Sequence, residues 1–381
     1  MATSGSRCGI GRLGPVVAAA LICCAPGSAH GVSSARGHGH GGWCKARSNG
    51  SWLRVLSRHV VGLSRTTPLV PFALAHNRRA FFAAVYSSRF SGVAEIDART
   101  SAVRQIKAFP DPAADQADGA FDGRRLVWAE YHSLTSVGDF TVWAWDSRSG
   151  RVTQIGAATR SPDGEFWESP LRAPHVRDGI ATWVQGTGPD GMAAVHVYDL
   201  RTGRGVVVHR GRAQGSFLVA RHRVAWPESP APGLMTRIRA ASALTGRRVD
   251  VPRALRTLHG VSGLATDGHR IAYPDAQYRS IWWSPSLRRK PREVLTAHPG
   301  DHIDDSVQIG RRYVGFGIWP RLYVADVKAR RYVQVGRRGG WTRVDGTTLL
   351  VAFGSPRKVI HPRLRIAVVP LGKLPPIPAC T

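Results

Sequence analysis

Carboxylates, one amide and two imidazoles recur at matching places along this chain. Glu130, Gln185, Glu228 and Asp275 each close a short apolar segment. Asp111, Asp115, Asp118, Glu168, Asp301, His302, Asp304 and Asp305 stand ahead of such segments. Clustered carboxylate oxygens with an imidazole suit two chemistries. They can hold a hard divalent cation such as Ca²⁺, or they can move protons, with His132 or His302 beside a carboxylate. The densest run is "PGDHIDDS", which makes Asp301, His302, Asp304 and Asp305 the candidate metal ligands. The plainer account is that the acids cap turns and balance the surrounding arginines. No spacing matches a known metal loop, and "DPAADQADG" lacks the ligand order of an EF-hand.

The elements that must position these side chains are strands. Alternating apolar segments recur as "RAFFAAV", "RRLVWAE", "GIATWVQ", "HRVAWPE", "HRIAYPD", "RYVGFGI" and "TTLLVAF". A large apolar residue stands near the end of most of them: Trp128, Trp183, Trp226, Tyr273, Phe316 and Phe353. Alternate residues of a strand share one face, so these side chains are expected to pack between neighbouring sheets and not to form a sugar platform. Ahead of the segment a turn often reads Asp-Gly, as in "GAFDG", "PHVRDG", "SGLATDG" and "TRVDG". Gly tolerates positive φ there, and Asp bonds its own backbone. Behind it comes a strand–turn–strand element such as "VYDLRTGRGVVV".

Aligning that element places anchors at Asp97, Asp146, Asp199, Ser242, Ser286, Asp326 and Pro370, with spacings of 49, 53, 43, 44, 40 and 44 residues. Seven copies at this period predict an all-β, seven-bladed propeller with one four-stranded sheet per copy. The blades are expected near 69–107, 117–156, 172–209, 215–251, 261–296, 305–336 and 340–371, within one domain spanning 51–381. Loops before the first strand and after the second share one face of such a ring. Glu130, His132, Glu168, Gln185, Glu228 and Asp275 are therefore the candidate ligand-face residues.

The pattern "DG…aW.e…vyvyDl.TG" resembles the blade repeat of TolB-like propellers, related to WD-type repeats. The resemblance covers roughly residues 66 to 371 and concerns architecture alone. The sixth copy departs from it with Gly310-Arg311, and the first with Asn77-Arg78. Repeats of this kind serve both scaffolds and enzymes, so the resemblance transfers no active site.

Ring closure has its own expectation. Blade seven runs into "GKLPPIPAC", whose prolines cannot donate ladder hydrogen bonds. The apolar "SWLRVL" at 51–56 is therefore expected to supply the outer strand of that blade and hide an open edge. Closure would bring Cys44 and Cys380 together, a disulfide contributing about 4–5 kcal/mol on the loop-entropy model.

The first thirty residues read as an address: Arg7 and Arg12, the apolar "VVAAALICC", then a small-residue site ending at Ala29. This predicts a secretory signal peptide over 1–29 and a secreted or envelope location. Residues 30–50, with His30, His38 and His40 among glycines, are expected to be a flexible linker. Net charge is +28, and only six of the 53 basic residues are Lys. The arginines are spread over every repeat, often at turns, and not set in a stripe interleaved with stacking aromatics, which argues against a nucleic-acid partner.

"GTGPDG" is a literal GxGxxG but leads into a strand, so no helix N-terminus awaits a phosphate. GxSxG, HExxH, Walker A and CxxC motifs are absent. The sequence thus predicts a monomeric exported scaffold that binds a protein or an anionic envelope polymer through its loop face. The alternative is a lyase or hydrolase acting on a sugar or lactone, with a divalent cation held by acids at the channel mouth. No cofactor and no catalytic residue is assigned.

Overall fold

Strand alternation becomes burial in a computed structural model of the chain. The structure describes residues 43–75, 79–133, 138–169, 173–220, 222–229, 237–256, 258, 263–275, 277–297, 301–304, 307–318, 320–337, 340–354 and 364–380. The expected signal peptide, the three histidines of the linker, the Asn77-Arg78 turn and Asp305 lie outside the described residues.

Seven sheets follow one another along the chain, and consecutive strands within each pair antiparallel. Blade three shows the plan: His175–Arg177, Ile180–Gly186, Ala193–Asp199 and Arg204–Gly211, paired in sequence order from the inner to the outer strand. Blade one covers Leu69–Leu74 to Val103–Ala108, and blade two Gln116–Phe121 to Val152–Ala157. Blade five runs from Ala265–Thr266 to Arg292–Thr296, and blade six from Gln308–Gly310 to Arg331–Gly336. Blades four and seven show three regular strands each, starting at Phe217–Val219 and Gly340–Asp345.

What holds the ring is the apolar packing at its seams. Seven clusters of buried side chains fall one to each pair of neighbouring blades, including the closing pair, where Leu69, Phe81 and Ile96 of blade one meet Leu350, Ile366 and Val368 of blade seven. Trp128, Trp183, Trp226, Tyr273 and Phe316 are all buried, as their place on the second strand implies, while Phe353 is only half-buried. Each such aromatic stabilises its seam by roughly 2–3 kcal/mol.

The latch differs from the expected one. Residues 51–56 are not a strand but part of a helix, Gly50–Arg58. The reason is in the spacing: Trp52, Val55 and Leu56 lie at i, i+3 and i+4, one face of a helix, and Trp52 and Leu56 are fully buried in the seam between blades six and seven. Edge pairing falls to the residues just after the helix. Val61 N–H donates to Ile366 O at 2.8 Å, Val368 N–H donates to His59 O at 3.2 Å, and Val60 bridges Ala367 in antiparallel sense. The outer edge of blade seven is thus covered by 59–61.

Residues 43–49, expected within a flexible linker, are also placed otherwise. Cys44–Lys45 runs parallel to Arg331 and Tyr332 on the outer strand of blade six, and Trp43 is buried against blades five and six. Ala46 bridges Cys380 in antiparallel sense, and a disulfide joins Cys44 to Cys380 with Cα atoms 5.7 Å apart. After Leu371–Lys373, one short 3-10 turn, the proline-rich tail forms no regular strand. No described helix is long and apolar enough to cross a membrane.

Candidate functional site

Side chains gather most tightly on the loop face at the seam of blades one and two. The second and third strands of blade two, Arg125–Tyr131 and Phe140–Asp146, pair Glu130 with Thr141 and Trp128 with Trp143. Since alternate residues share a face, all four turn the same way, towards blade one. Lys107, near the end of the outer strand of blade one, meets them there. Its Nζ lies 2.8 and 2.9 Å from the two oxygens of Glu130 and 4.6 Å from the centre of the Trp143 ring. Glu130 has no exposed side-chain surface, so the ammonium compensates a buried charge.

Beside this pair runs a hydrogen-bonded chain. His132 Nδ1 lies 3.0 Å from Asp115 Oδ1, and its Nε2 lies 2.9 Å from Thr141 Oγ1. Asp115 is buried and accepts from Asp111 N–H at 2.9 Å, and its carbonyl accepts from the Tyr86 hydroxyl at 3.1 Å. Burial raises the Tyr86 phenol well above its usual value, with the Asp115 charge adding to the effect, so it stays a donor. In the neutral tautomer that this geometry suits, Nδ1–H donates to Asp115 and Nε2 accepts from the Thr141 hydroxyl.

Asp115, Glu130 and His132 offer ligand atoms that all lie within 4.8 Å of one another, a triad of the kind that holds a divalent cation. The donor set is closed as it stands. Lys107 covers both oxygens of Glu130, and both nitrogens of His132 are engaged. A cation here would have to displace the ammonium.

The other candidate residues do not join this group. Gln185 is buried on blade three and donates to Thr159 Oγ1 at 3.3 Å, while Glu168 is exposed. Glu228 pairs with Arg239 at 2.6 Å, while His209 Nε2 lies 3.2 Å from its other oxygen without hydrogen-bond geometry and its ring stacks on Trp226 with ring centres 5.1 Å apart. Burial holds His209 below the usual imidazole value even with Glu228 beside it. Asp275 caps its own hairpin by accepting from Arg279 N–H at 2.8 Å. Within the acidic run, Asp301 and His302 are exposed, His302 packs on Tyr278 with ring centres 4.8 Å apart, and Asp304 lies against Gly317. Among the described residues, the ligand atoms of this run do not converge as those of the triad do.

Two further groupings could not be read from sequence spacing, although Asp118 in the first was among the acids singled out there. Inside the ring, Arg343 on the first strand of blade seven donates to Asp118 on the first strand of blade two at 3.1 Å, passing over blade one. At the opposite end of the ring axis, the turns after the first strands bring Asp178, Asp267 and Asp345 near Arg177. Burial pulls the Arg177 guanidinium below its usual value, and the three acids oppose that shift. That face also carries a groove rich in arginine.

No protein-family model matches the chain, and no curated protein matches it in sequence. Among solved structures, the β-propeller domain of the Trilobed protease from Pyrococcus furiosus superposes with a TM-score of 0.53 at 10% identity, covering 82% of this chain and 97% of that one. A prolyl endopeptidase superposes with a TM-score of 0.53 at 13% identity, covering 86% of this chain and 50% of that one. The chain therefore spans about half the length of that peptidase. At such identities the likeness is one of fold. What the chain shares with them is the β-propeller fold.

Proposed function

We propose that this protein is an exported, non-enzymatic propeller that acts as a binding scaffold for an anionic polymer of the cell envelope. The observation that carries the reading is the state of the loop-face acids. Glu130, Glu228 and Asp275 are each satisfied from within, by Lys107, by Arg239, and by a backbone N–H. Acids already paired leave the arginine excess to face partners, and a protein of net charge +28 attracts polyanions over a Debye length of about 8–10 Å. Export is supported by the signal-like first thirty residues and by the Cys44–Cys380 disulfide, a bond that persists in oxidising compartments. The test is co-sedimentation of the purified mature protein with isolated anionic envelope material across a salt series. Retention at low salt with release by about 0.5 M salt is expected. No retention at any salt would sink the reading.

A second reading has one observation behind it, the Asp115–Glu130–His132 triad. It makes the seam of blades one and two a divalent-cation site of an enzyme acting on a sugar or lactone. Mn²⁺ or Ca²⁺ at millimolar concentration should then raise the melting temperature of the wild type and leave a Glu130→Gln variant unmoved. An unmoved wild type removes it.

A further inference from the structure

On the turn face, opposite the loop-face network, a groove of about 720 Å³ runs between blades five and six and meets the turn that ends blade seven. Arg270, Arg292, Arg311, Arg312 and Lys328 line it, and among the described residues no carboxylate does. Its other walls are largely apolar, built from Trp283, Tyr313, Val327 and Leu371.

Two of the five cations are answered by acids set behind the lining. Arg270 pairs with Asp267 at 2.9 Å and Arg312 with Asp326 at 3.1 Å. Arg292 lays its guanidinium 4.9 Å from the centre of the Trp283 ring, which holds the fork in place without neutralising it. Arg311 and Lys328 are exposed and have no carboxylate partner among the described residues. Positive charge is common on this chain. This groove differs in joining concave shape, apolar walls and a rim without acids, a combination that focuses potential and strengthens each charge-assisted contact.

We propose that the groove binds a carboxylate-bearing polysaccharide. The carbon-rich faces of its sugar rings meet the narrow apolar floor where the mostly buried Val327, Leu371 and Tyr313 reach the groove, and its acid groups meet the arginines of the rim. Guanidinium forks pair bidentately with carboxylates, and four of the five cations are arginine. The apolar walls separate this ligand from a bare phosphate chain, which has nothing to lay on them. The proposal rests on the scaffold reading above and moves the contact from the loop face to the turn face.

The test measures affinity of the full mature protein for alginate, with polyphosphate and neutral dextran as comparison ligands, at about 0.15 M salt. The groove variant is Arg311→Glu with Lys328→Glu, two exposed residues without acid partners among the described residues. A charge-matched control, Arg148→Glu with Arg204→Glu, alters exposed arginines of blades two and three. Both must melt within a few degrees of the wild type. The expected result is alginate binding weakened about tenfold or more in the groove variant and less than threefold in the control, with no binding to dextran. Equal losses in the two variants would overturn the groove while leaving an anion-binding scaffold standing. Tighter, groove-dependent binding to polyphosphate would overturn the carbohydrate assignment. Failure of the wild type to bind either polyanion would overturn the proposal and the scaffold reading together.

Discussion

The guanidinium of Arg177 on blade three occupies the space that a side chain on Gly268 of blade five would fill. The two residues belong to blades that do not touch as neighbours, so the contact bridges the turn end of the ring. Gly268 sits at φ +83°, where any other L-residue is strained. Gly268→Ala therefore meets two obstacles, backbone conformation and the arginine. It should lower stability by about 1–3 kcal/mol, read from urea midpoints. Arg177→Ala alone should cost less, and adding it to Gly268→Ala should recover part of the loss.

The buried ion pair at the seam of blades one and two makes a sharper claim. Removing Lys107 leaves Glu130 as an uncompensated charge with no exposed surface. Lys107→Met should cost about 3–5 kcal/mol. Lys107→Met with Glu130→Gln should be distinctly more stable than Lys107→Met alone, because the stranded charge is gone. A double-mutant cycle that is additive would show that the pair is not coupled.

Acid should weaken the fold through blade three. His196 stacks on Trp183 with ring centres 5.1 Å apart, and burial first, then Arg210, pushes its pKa down to about 4 from 6.5. The depressed group binds its proton in the unfolded chain first, so stability present near pH 7 is lost as pH falls from 6.5 towards 4. This single group is worth up to about 3 kcal/mol over that window. His196→Phe should keep the stack and flatten the pH dependence by that amount. Parallel curves for the two proteins would refute the assignment.

The Cys44–Cys380 link closes a loop spanning 336 residues. Cys380→Ser, or reductant on the wild type, should lower stability by up to about 5 kcal/mol. Intact mass before and after reduction, with alkylation, reports whether the bond is present in exported protein.

Much of this architecture could be read in advance, because a period of two within strands and a period in the forties between them both survive in plain text. Trp128 and Trp226 stood at the same place in the repeat, and each is buried at its seam. The latch was misread because "SWLRVL" satisfies two periods at once, and only burial of Trp52 and Leu56 on the same side decides for the helix. The sites were harder. Crowding of acids at 301–305 suggested convergence, yet Asp301 stands exposed while Asp304 lies against Gly317. Asp115 and His132 are brought together because a loop and a strand end meet at one end of blade two. Lys107 arrives from another blade, which no spacing within a repeat encodes. The basic groove was equally hidden: Arg270, Arg292, Arg311 and Lys328 come from four separate turns that only the circular arrangement collects.

Residues 43–46 run along the outermost strand of blade six, and the Cys380 end is fastened beside them. Both ends of the described chain therefore lie at the circumference of the disc. A tether, tag or second module joined ahead of Trp43 would hold the wheel by its tyre and leave either flat side accessible to a long polymer passing by.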